Sequence, residues 1–266
     1  MESYEKYFEA NKLLWNQRTK IHKDSAFYNR KGFLAGDDVL TPIELTALGS
    51  VAGKSMLHLQ CHFGLDSLNW QRLGARVTGV DLSDEAIREA QHLNVALQME
   101  ANFICCNVYD LKKHLDKKFD IVFTSYGTIG WLPDLDKWAD IIAHFVKDDG
   151  VFFMADFHPV VWMFDDDFTK IQYAYNNREV IKTDKSGTYT DPNAAIHLAE
   201  YGWNHSISEI LNALIQHGLH IENFNEFMYA PYSCFAHSIE VEKNKWQIKG
   251  LENKIPMVYS LLARKQ

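Results

Sequence analysis

From residue 54 to residue 157, short β-branched or aromatic runs alternate with stretches whose apolar residues recur at helical spacing, and no other feature restricts the fold so tightly. KSMLHLQ (residues 54–60), RVTGVDLS (76–83), NFICCNV (102–108), FDIVFTSYG (119–127) and GVFFMADF (150–157) read as five strands. Between them DSLNWQRLG (66–74), DEAIREAQHLNVAL (84–97) and LDKWADIIAHFVKDDG (135–150) read as helices, the first and last closed by glycine. Strands and helices alternating in this way predict an α/β domain, a doubly wound and mostly parallel sheet with helices on both faces. In such a sheet ligands bind beyond the carboxyl ends of the strands.

The flanks add elements to that centre. The first forty residues read as one or two helices with a loop over FYNRKGFLAGDD (27–38). Residues 159–201 are rich in aromatics, Asp, Asn and Thr, have poor helical periodicity, and are too long for an ordinary connection. They are expected to carry strands of their own or to cover a site. SISEILNALIQHGL (206–219) is a helix with serine caps and a terminal glycine, and HIENFNEFMYAP (220–231) and IPMVYSLLARK (255–265) are candidate strands. With no internal repeat or low-complexity linker, residues 1–266 read as a single domain, with a helical cap at 1–45 and an insertion at 159–201.

Composition narrows the function classes. A net charge of −8 argues against a general electrostatic grip on nucleic acid. No run of eighteen apolar residues occurs, so no membrane span is expected. The first twenty residues are charged and helical in pattern rather than leader-like. Four cysteines in 266 residues then suggest reduced thiols and a cytoplasmic protein. They do not suggest zinc: no Cys-x-x-Cys pair occurs, and Cys105 and Cys106, adjacent on a strand, point to opposite faces.

Three polar positions should meet at the strand ends. The turn QCHFG (60–64) runs straight into a helix, whose backbone N–H groups and positive end suit an anionic ligand group. Asp81 closes the second strand, where an acid suits a pair of ribose hydroxyls; its plainer role, capping the next helix, is one that Ser83 can fill. Asn107 and the backbone of Val108, after the third strand, suit a base edge.

MLHLQCHFG, VTGVDLS, NFICCNVYDL and FDIVFTSYGTIGWLPDL, taken in order, resemble the successive motifs of class I S-adenosylmethionine-dependent methyltransferases, and in particular a bacterial group with LHLQCHFG and WLPDL signatures. The likeness extends to WNQRTKIHKDSAFY (15–28) and YGWNHSISEILNALIQHGL (201–219). The resemblance implies a Rossmann-like seven-stranded sheet with an antiparallel last strand, and S-adenosyl-L-methionine as cofactor with S-adenosyl-L-homocysteine as product. It also implies a small-molecule acceptor. His58 stands where the family carries an acid, and Gln60 and His62 stand where it carries the first two glycines of the turn; Gly64 remains. Asp81, with Leu82 beside it, matches the ribose-binding acid, and Asn107 and Val108 match the adenine segment. Ser125 and Tyr126 match the segment that passes the methionine part, and Tyr28 is a candidate to close over the cofactor.

Other readings stand beside these. Cys61 reads as a small packed residue and His58 as a hydrogen-bonded structural histidine. Trp131 either packs under the following helix or walls the acceptor pocket, and Asp165–Asp167 read as a solvated loop. His158 and His205 are weak candidates for a general base, and either can equally cap a helix or bond backbone. An NAD-dependent oxidoreductase would also want Asp81, but Gln60 and His62 occupy places where its dinucleotide needs glycine. A nucleic-acid methyltransferase is disfavoured by the acidic charge and by TSYG after the fourth strand, and a cofactor-binding regulator without transfer activity is the non-enzymatic reading. No nucleic-acid or membrane partner is expected, and the chain is expected to be a monomer or homodimer.

Overall fold

The computed structural model describes residues 4–266, except the side chain of Lys185; residues 1–3 of the expected N-terminal cap lie outside the described residues. Three helices come first: α1 (Glu5–His22), α2 (Arg30–Ala35) and α3 (Pro42–Leu48). The alternating centre follows as β1 (Ser55–Leu59), α4 (Leu65–Arg72), β2 (Arg76–Asp81), α5 (Asp84–Ala96), β3 (Asn102–Cys105), β4 (Phe119–Ser125), α6 (Leu135–Phe145) and β5 (Val146–Phe157). The remainder is β6 (Asn177–Ser186), β7 (His197–Asn204), α7 (Ile207–Gln216), β8 (Leu219–Phe227), β9 (Ser238–Glu242), β10 (Lys245–Ile248) and β11 (Val258–Lys265).

Seven strands form one sheet in the order β3-β2-β1-β4-β5-β11-β8, the doubly wound, mostly parallel architecture expected. β1 pairs in parallel with β2 and β4, while β11 runs antiparallel between β5 and β8. Side chains of β1 alternate between two apolar layers: Met56 packs with α4 and α5 residues such as Trp70 and Leu93, and Leu57 and Leu59 pack with Trp138 and Leu214 of α6 and α7. Helix α6 shows why these segments fold as they do. Leu135, Trp138, Ala139, Ile141, Ile142 and Phe145 make one buried stripe, and Asp134 caps the first turn by accepting from the Lys137 N–H at 3.0 Å. Burying each large side chain of that stripe stabilises the fold by roughly 1.5–3 kcal/mol.

Three boundaries differ from the sequence reading. The helix expected over 135–150 stops at Phe145, because Val146 pairs with Phe119 and starts β5 ahead of the bulge at the edge of β4. The loop expected over 27–38 contains α2, capped by Asn29 and ended by Gly36 at φ 115°. The third strand stops at Cys105, and Asn107 caps a short 3-10 helix over Val108–Lys113. Residues 159–201 carry β6 and most of β7, which pair with each other and not with the main sheet. The β9–β10 hairpin had no counterpart in the sequence reading. No helix among the described residues is long and apolar enough to cross a membrane.

Candidate active site

After Leu59 the chain must turn from β1 into α4 within five residues, and it does so with three left-handed positions: Gln60 (φ 55°), His62 (φ 51°) and Gly64 (φ 78°). This conformation costs a residue with a Cβ about 1 kcal/mol or more, so two of the three positions hold side chains in a geometry that glycine takes most readily. Backbone bonds hold the turn. The Cys61 N–H donates to the Val80 carbonyl at 2.9 Å, and the Gly64 N–H donates to the Cys61 carbonyl at 2.9 Å. At Gly64 the side chain is excluded twice, since a Cβ would also meet the Phe103 ring at 2.9 Å.

Asp81 ties this turn to the next one. One carboxylate oxygen accepts from the His62 N–H and the other from the Ser83 N–H, each at 2.8 Å. Ser83 caps α5 by accepting from the Ala86 N–H at 3.1 Å, which leaves Asp81 outside that role. Burial pushes the Asp81 carboxyl up to about 6, against the pull of the N–H groups that favour its charged form. Asp156, at the end of β5, organises the turn after β4 in the same way. Its carboxylate accepts from the N–H groups of Gly127, Thr128 and Ile129 at 2.5, 3.0 and 3.0 Å. The Thr128 hydroxyl adds a fourth bond at 2.9 Å.

Helix α1 lies over these strand ends. Trp15, Arg18 and His22 fall at i, i+3 and i+7, on one face. Arg18 forms an ion pair with Glu200 of β7 while its guanidinium sits over the rings of Trp15 (5.2 Å) and Trp131 (5.7 Å). His22 is fully buried, and burial together with the Arg18 charge pushes its imidazole down to about 3. His62 packs between Trp15 (5.3 Å), His22 (5.4 Å) and Phe63 (4.3 Å), and burial holds it neutral as well. The hydroxyls of Tyr28 and Tyr189 bond to each other beside this stack.

Beneath the aromatic layer are two cavities, of about 800 Å³ and about 140 Å³. Both are bounded by Trp15, Gln60, His62, Tyr126 and Trp131, so these side chains form the wall between them. Of the residues singled out from the sequence, Tyr28, Gln60, His62, Asp81, Leu82, Asn107, Val108 and Tyr126 line the smaller cavity. Gly64 and Ser125 line the larger one. Two buried polar atoms on the common wall have no partner: Oε1 of Gln60, whose Nε2 donates to the Thr128 carbonyl at 2.9 Å, and Nε2 of His62.

Several expectations change. His158 lines neither cavity; its Nδ1 accepts from the Val160 N–H at 3.2 Å and its Nε2 lies 2.9 Å from Glu226, a loop-capping arrangement. His205 lines neither cavity, and its Nε2 donates to the Leu132 carbonyl at 2.7 Å. Both thus make the backbone bonds that were their alternative reading. The Asn107 oxygen, assigned to a base edge, accepts from the Tyr109 N–H at 3.1 Å. His58 bonds Ser67 at 2.8 Å as a buried structural residue, Cys61 is packed at 4% exposure, and Trp131 is a cavity wall. The sequence reading missed Trp15, Arg18, Glu44, Asp66 and Tyr189. The first two were open to discovery from the Trp15, Arg18, His22 spacing; Glu44 and Asp66 resemble ordinary helix-start acids.

Comparison with known proteins follows the same lines. Residues 57–154 match the family model described as a methyltransferase domain. A solved S-adenosylmethionine-dependent methyltransferase from Mesorhizobium loti covers 87% of the chain, with the whole of its own length matched, at 17% identity and TM-score 0.58. One from Clostridium acetobutylicum covers 96% of the chain and 98% of its own at 17% identity and TM-score 0.57. These likenesses establish the fold. The mitochondrial ubiquinone biosynthesis O-methyltransferase of Bos taurus is 24% identical over 213 residues, 77% of the chain and 52% of its own length. The chain spans about half the length of the curated relatives it matches.

Proposed function

We propose that this chain is a class I S-adenosylmethionine-dependent methyltransferase, which binds that cofactor across the wall between the two cavities and methylates a small molecule in the larger one. The observation that carries the reading is the pair of unpartnered buried atoms, Oε1 of Gln60 and Nε2 of His62, on that wall. An unpartnered buried polar atom is costly, and a bound ligand with hydrogen-bonding groups relieves the cost. The names of relatives that act in ubiquinone biosynthesis support a small-molecule acceptor.

When bound, the cofactor supplies a sulfonium whose methyl group is already reactive toward a nucleophile. What remains for the protein is placement. Asp81, fixed by two N–H donors, offers its remaining lone pairs to ribose hydroxyls. Leu82, Asn107 and Val108 flank the base end, and Ser125 and Tyr126 border the methionine end. Gln60 and His62 contribute side-chain hydrogen bonds in place of the open backbone of a glycine turn. Tyr28, in the segment after α1, closes the roof. The N-terminal residues to 45 and the insertion at 159–201 shape the acceptor side, and aligning the acceptor with the methyl carbon and sulfur is the main catalytic contribution. His62 and His22 are neutral and so add no repulsion to a cationic cofactor.

Calorimetry with S-adenosylmethionine and S-adenosylhomocysteine tests the proposal. Failure to bind both would sink it. Binding without formation of S-adenosylhomocysteine on any member of a broad small-molecule panel would favour a silent binder.

A further inference from the structure

We infer that the acceptor carries a protonated amine, held by Asp66 and Glu44 within a ring formed by Tyr28, Tyr126 and Tyr232. The inference rests on the methyltransferase reading and names the class of molecule that the larger cavity takes.

Charge on the cavity wall is one-sided. Asp38, Glu44, Asp66 and Glu200 all line the larger cavity, and Arg18 is the one Lys or Arg among the described lining residues. Arg18 is held by Glu200 and stacked over two indoles, away from Asp66 and Glu44 in the hydrogen-bond network. The histidines on this wall, His58 and His62, are kept neutral by burial. An anionic acceptor would therefore meet carboxylates that no Lys or Arg compensates.

Asp66 and Glu44 are brought together by tertiary packing. Asp66, in the first turn of α4, accepts from the Ser125 hydroxyl at 2.9 Å. Glu44, 1% exposed, closes the capping box of α3 by accepting from the Thr41 N–H at 2.6 Å and from the Thr41 hydroxyl, and it also accepts from the Tyr126 hydroxyl at 3.1 Å. Burial drives both carboxyls upward, Asp66 to about 6 and Glu44 to about 7, with the Asp66 charge adding to the rise at Glu44. Neither carboxylate has a Lys or Arg partner among the described residues.

A second observation is independent of the acids. Asn204, 1% exposed, lines the same cavity with its Oδ1 unpartnered, while its Nδ2 donates to the Pro159 carbonyl at 3.1 Å. Oδ1 of Asn204 is thus an acceptor on the wall of the larger cavity that no donor of the protein meets. The ring faces complete the class. Tyr126 and Tyr232 meet at 5.4 Å, Phe27 and Tyr232 at 5.3 Å, and Tyr28 and Phe63 at 4.8 Å. Aromatic walls around a carboxylate suit an organic ammonium, which gains from ring quadrupoles and charge at once. A protonated amine has no lone pair, so the group held here anchors the acceptor and another of its atoms receives the methyl.

The test is a matched set of ligands, tyramine, 4-ethylphenol and 4-hydroxyphenylacetate, titrated into the S-adenosylhomocysteine-loaded protein at neutral pH. Tyramine should bind at least about tenfold more tightly than 4-ethylphenol, with 4-hydroxyphenylacetate weakest. Asp66→Asn, saturated with S-adenosylhomocysteine, should bring tyramine to within about threefold of 4-ethylphenol. Equal binding of the three, or binding by none, overturns the inference. So does an Asp66→Asn variant that loses cofactor affinity but keeps the amine preference, because the carboxylates would then serve the cofactor's own ammonium. If Asp66→Asn does not fold, the ranking by the wild-type protein still decides. Absence of S-adenosylhomocysteine binding counts against the methyltransferase reading instead, and the same ranking without it then tests the amine site.

Discussion

At the scale of single residues, the turn after β1 separates positions that tolerate a side chain from one that does not. Gly64 combines a φ of 78° with a Cβ path into Phe103 and Ala90. Gly64→Ala should cost about 2–3 kcal/mol, read as a lower denaturation midpoint; a loss below about 0.5 kcal/mol would show that the Phe103 ring yields freely. Asp81→Ala should weaken S-adenosylhomocysteine binding by about tenfold or more, since it removes the proposed ribose contact and frees two N–H groups. Unchanged affinity removes the ribose assignment. Asp81 was legible in the sequence because the end of a strand fixes where its side chain lies. Asp66 and Glu44 were not, because an acid in a first helical turn reads as a partner of the helix dipole. Only the bonds from Ser125 to Asp66 and from Tyr126 to Glu44, made at the end of β4, turn them into one cluster.

At the scale of elements, α1 and the β6–β7 hairpin act together as a roof. Asn11 behaves like a short strand: its amide donates to the Tyr201 carbonyl at 2.8 Å, and its oxygen accepts from the Tyr201 N–H at 3.0 Å. The Arg18–Glu200 pair, with side chains 8% and 20% exposed, is the charged counterpart of that clamp. Arg18→Met should destabilise the protein by about 3 kcal/mol by leaving Glu200 half-buried without its partner, and Arg18→Met with Glu200→Leu should recover most of the loss. Equal urea midpoints for the single and double variants would contradict this. The five central strands were legible because their apolar runs are short and punctuated by turns. The start of β5 was not, since Val146 continues the apolar period of α6 and only its pairing with Phe119 makes it a strand. Gly32 and Gly36 likewise made α2 look like a loop, although Asn29 caps it through the Gly32 N–H at 3.2 Å.

At the scale of the whole molecule, two sets of buried ionisable groups pull stability in opposite directions with pH. Burial pushes His22 and His58 down to about 3. An unfolded chain takes up those protons near pH 6.5, so from there down to about pH 3 the unfolded state binds protons that the native state refuses. Each such histidine then removes about 1.4 kcal/mol of stability per unit of falling pH. Glu44, Asp66 and Asp81 work the other way, because their folded values of about 7, 6 and 6 lie above the unfolded carboxyl range. Between about pH 4 and those values the native state holds protons that the unfolded chain has lost, so stability falls as pH rises. The expected profile is flat across weakly acidic pH. His58→Asn should unbalance it, sparing about 2 kcal/mol of the stability lost by histidine protonation between about pH 6.5 and pH 5, as measured by urea melts at both ends. Parallel profiles for the two proteins would refute the burial argument.

Asp156 has a consequence for engineering. By holding Gly127, Thr128 and Ile129 through backbone N–H groups, it fastens the floor of both cavities to the sheet without using any side chain but that of Thr128. The floor is therefore a fixed chassis, and the variable surface is the far wall, where Trp162, Phe168 and Phe235 are only partly covered. A mutant library randomised at those three positions should retain a high fraction of folded clones while its acceptor range drifts. A library at Asp156 and Thr128 of equal size should yield few soluble clones. The molecule thus divides into a wall whose side chains can change with the fold intact and a floor whose bonds the fold needs.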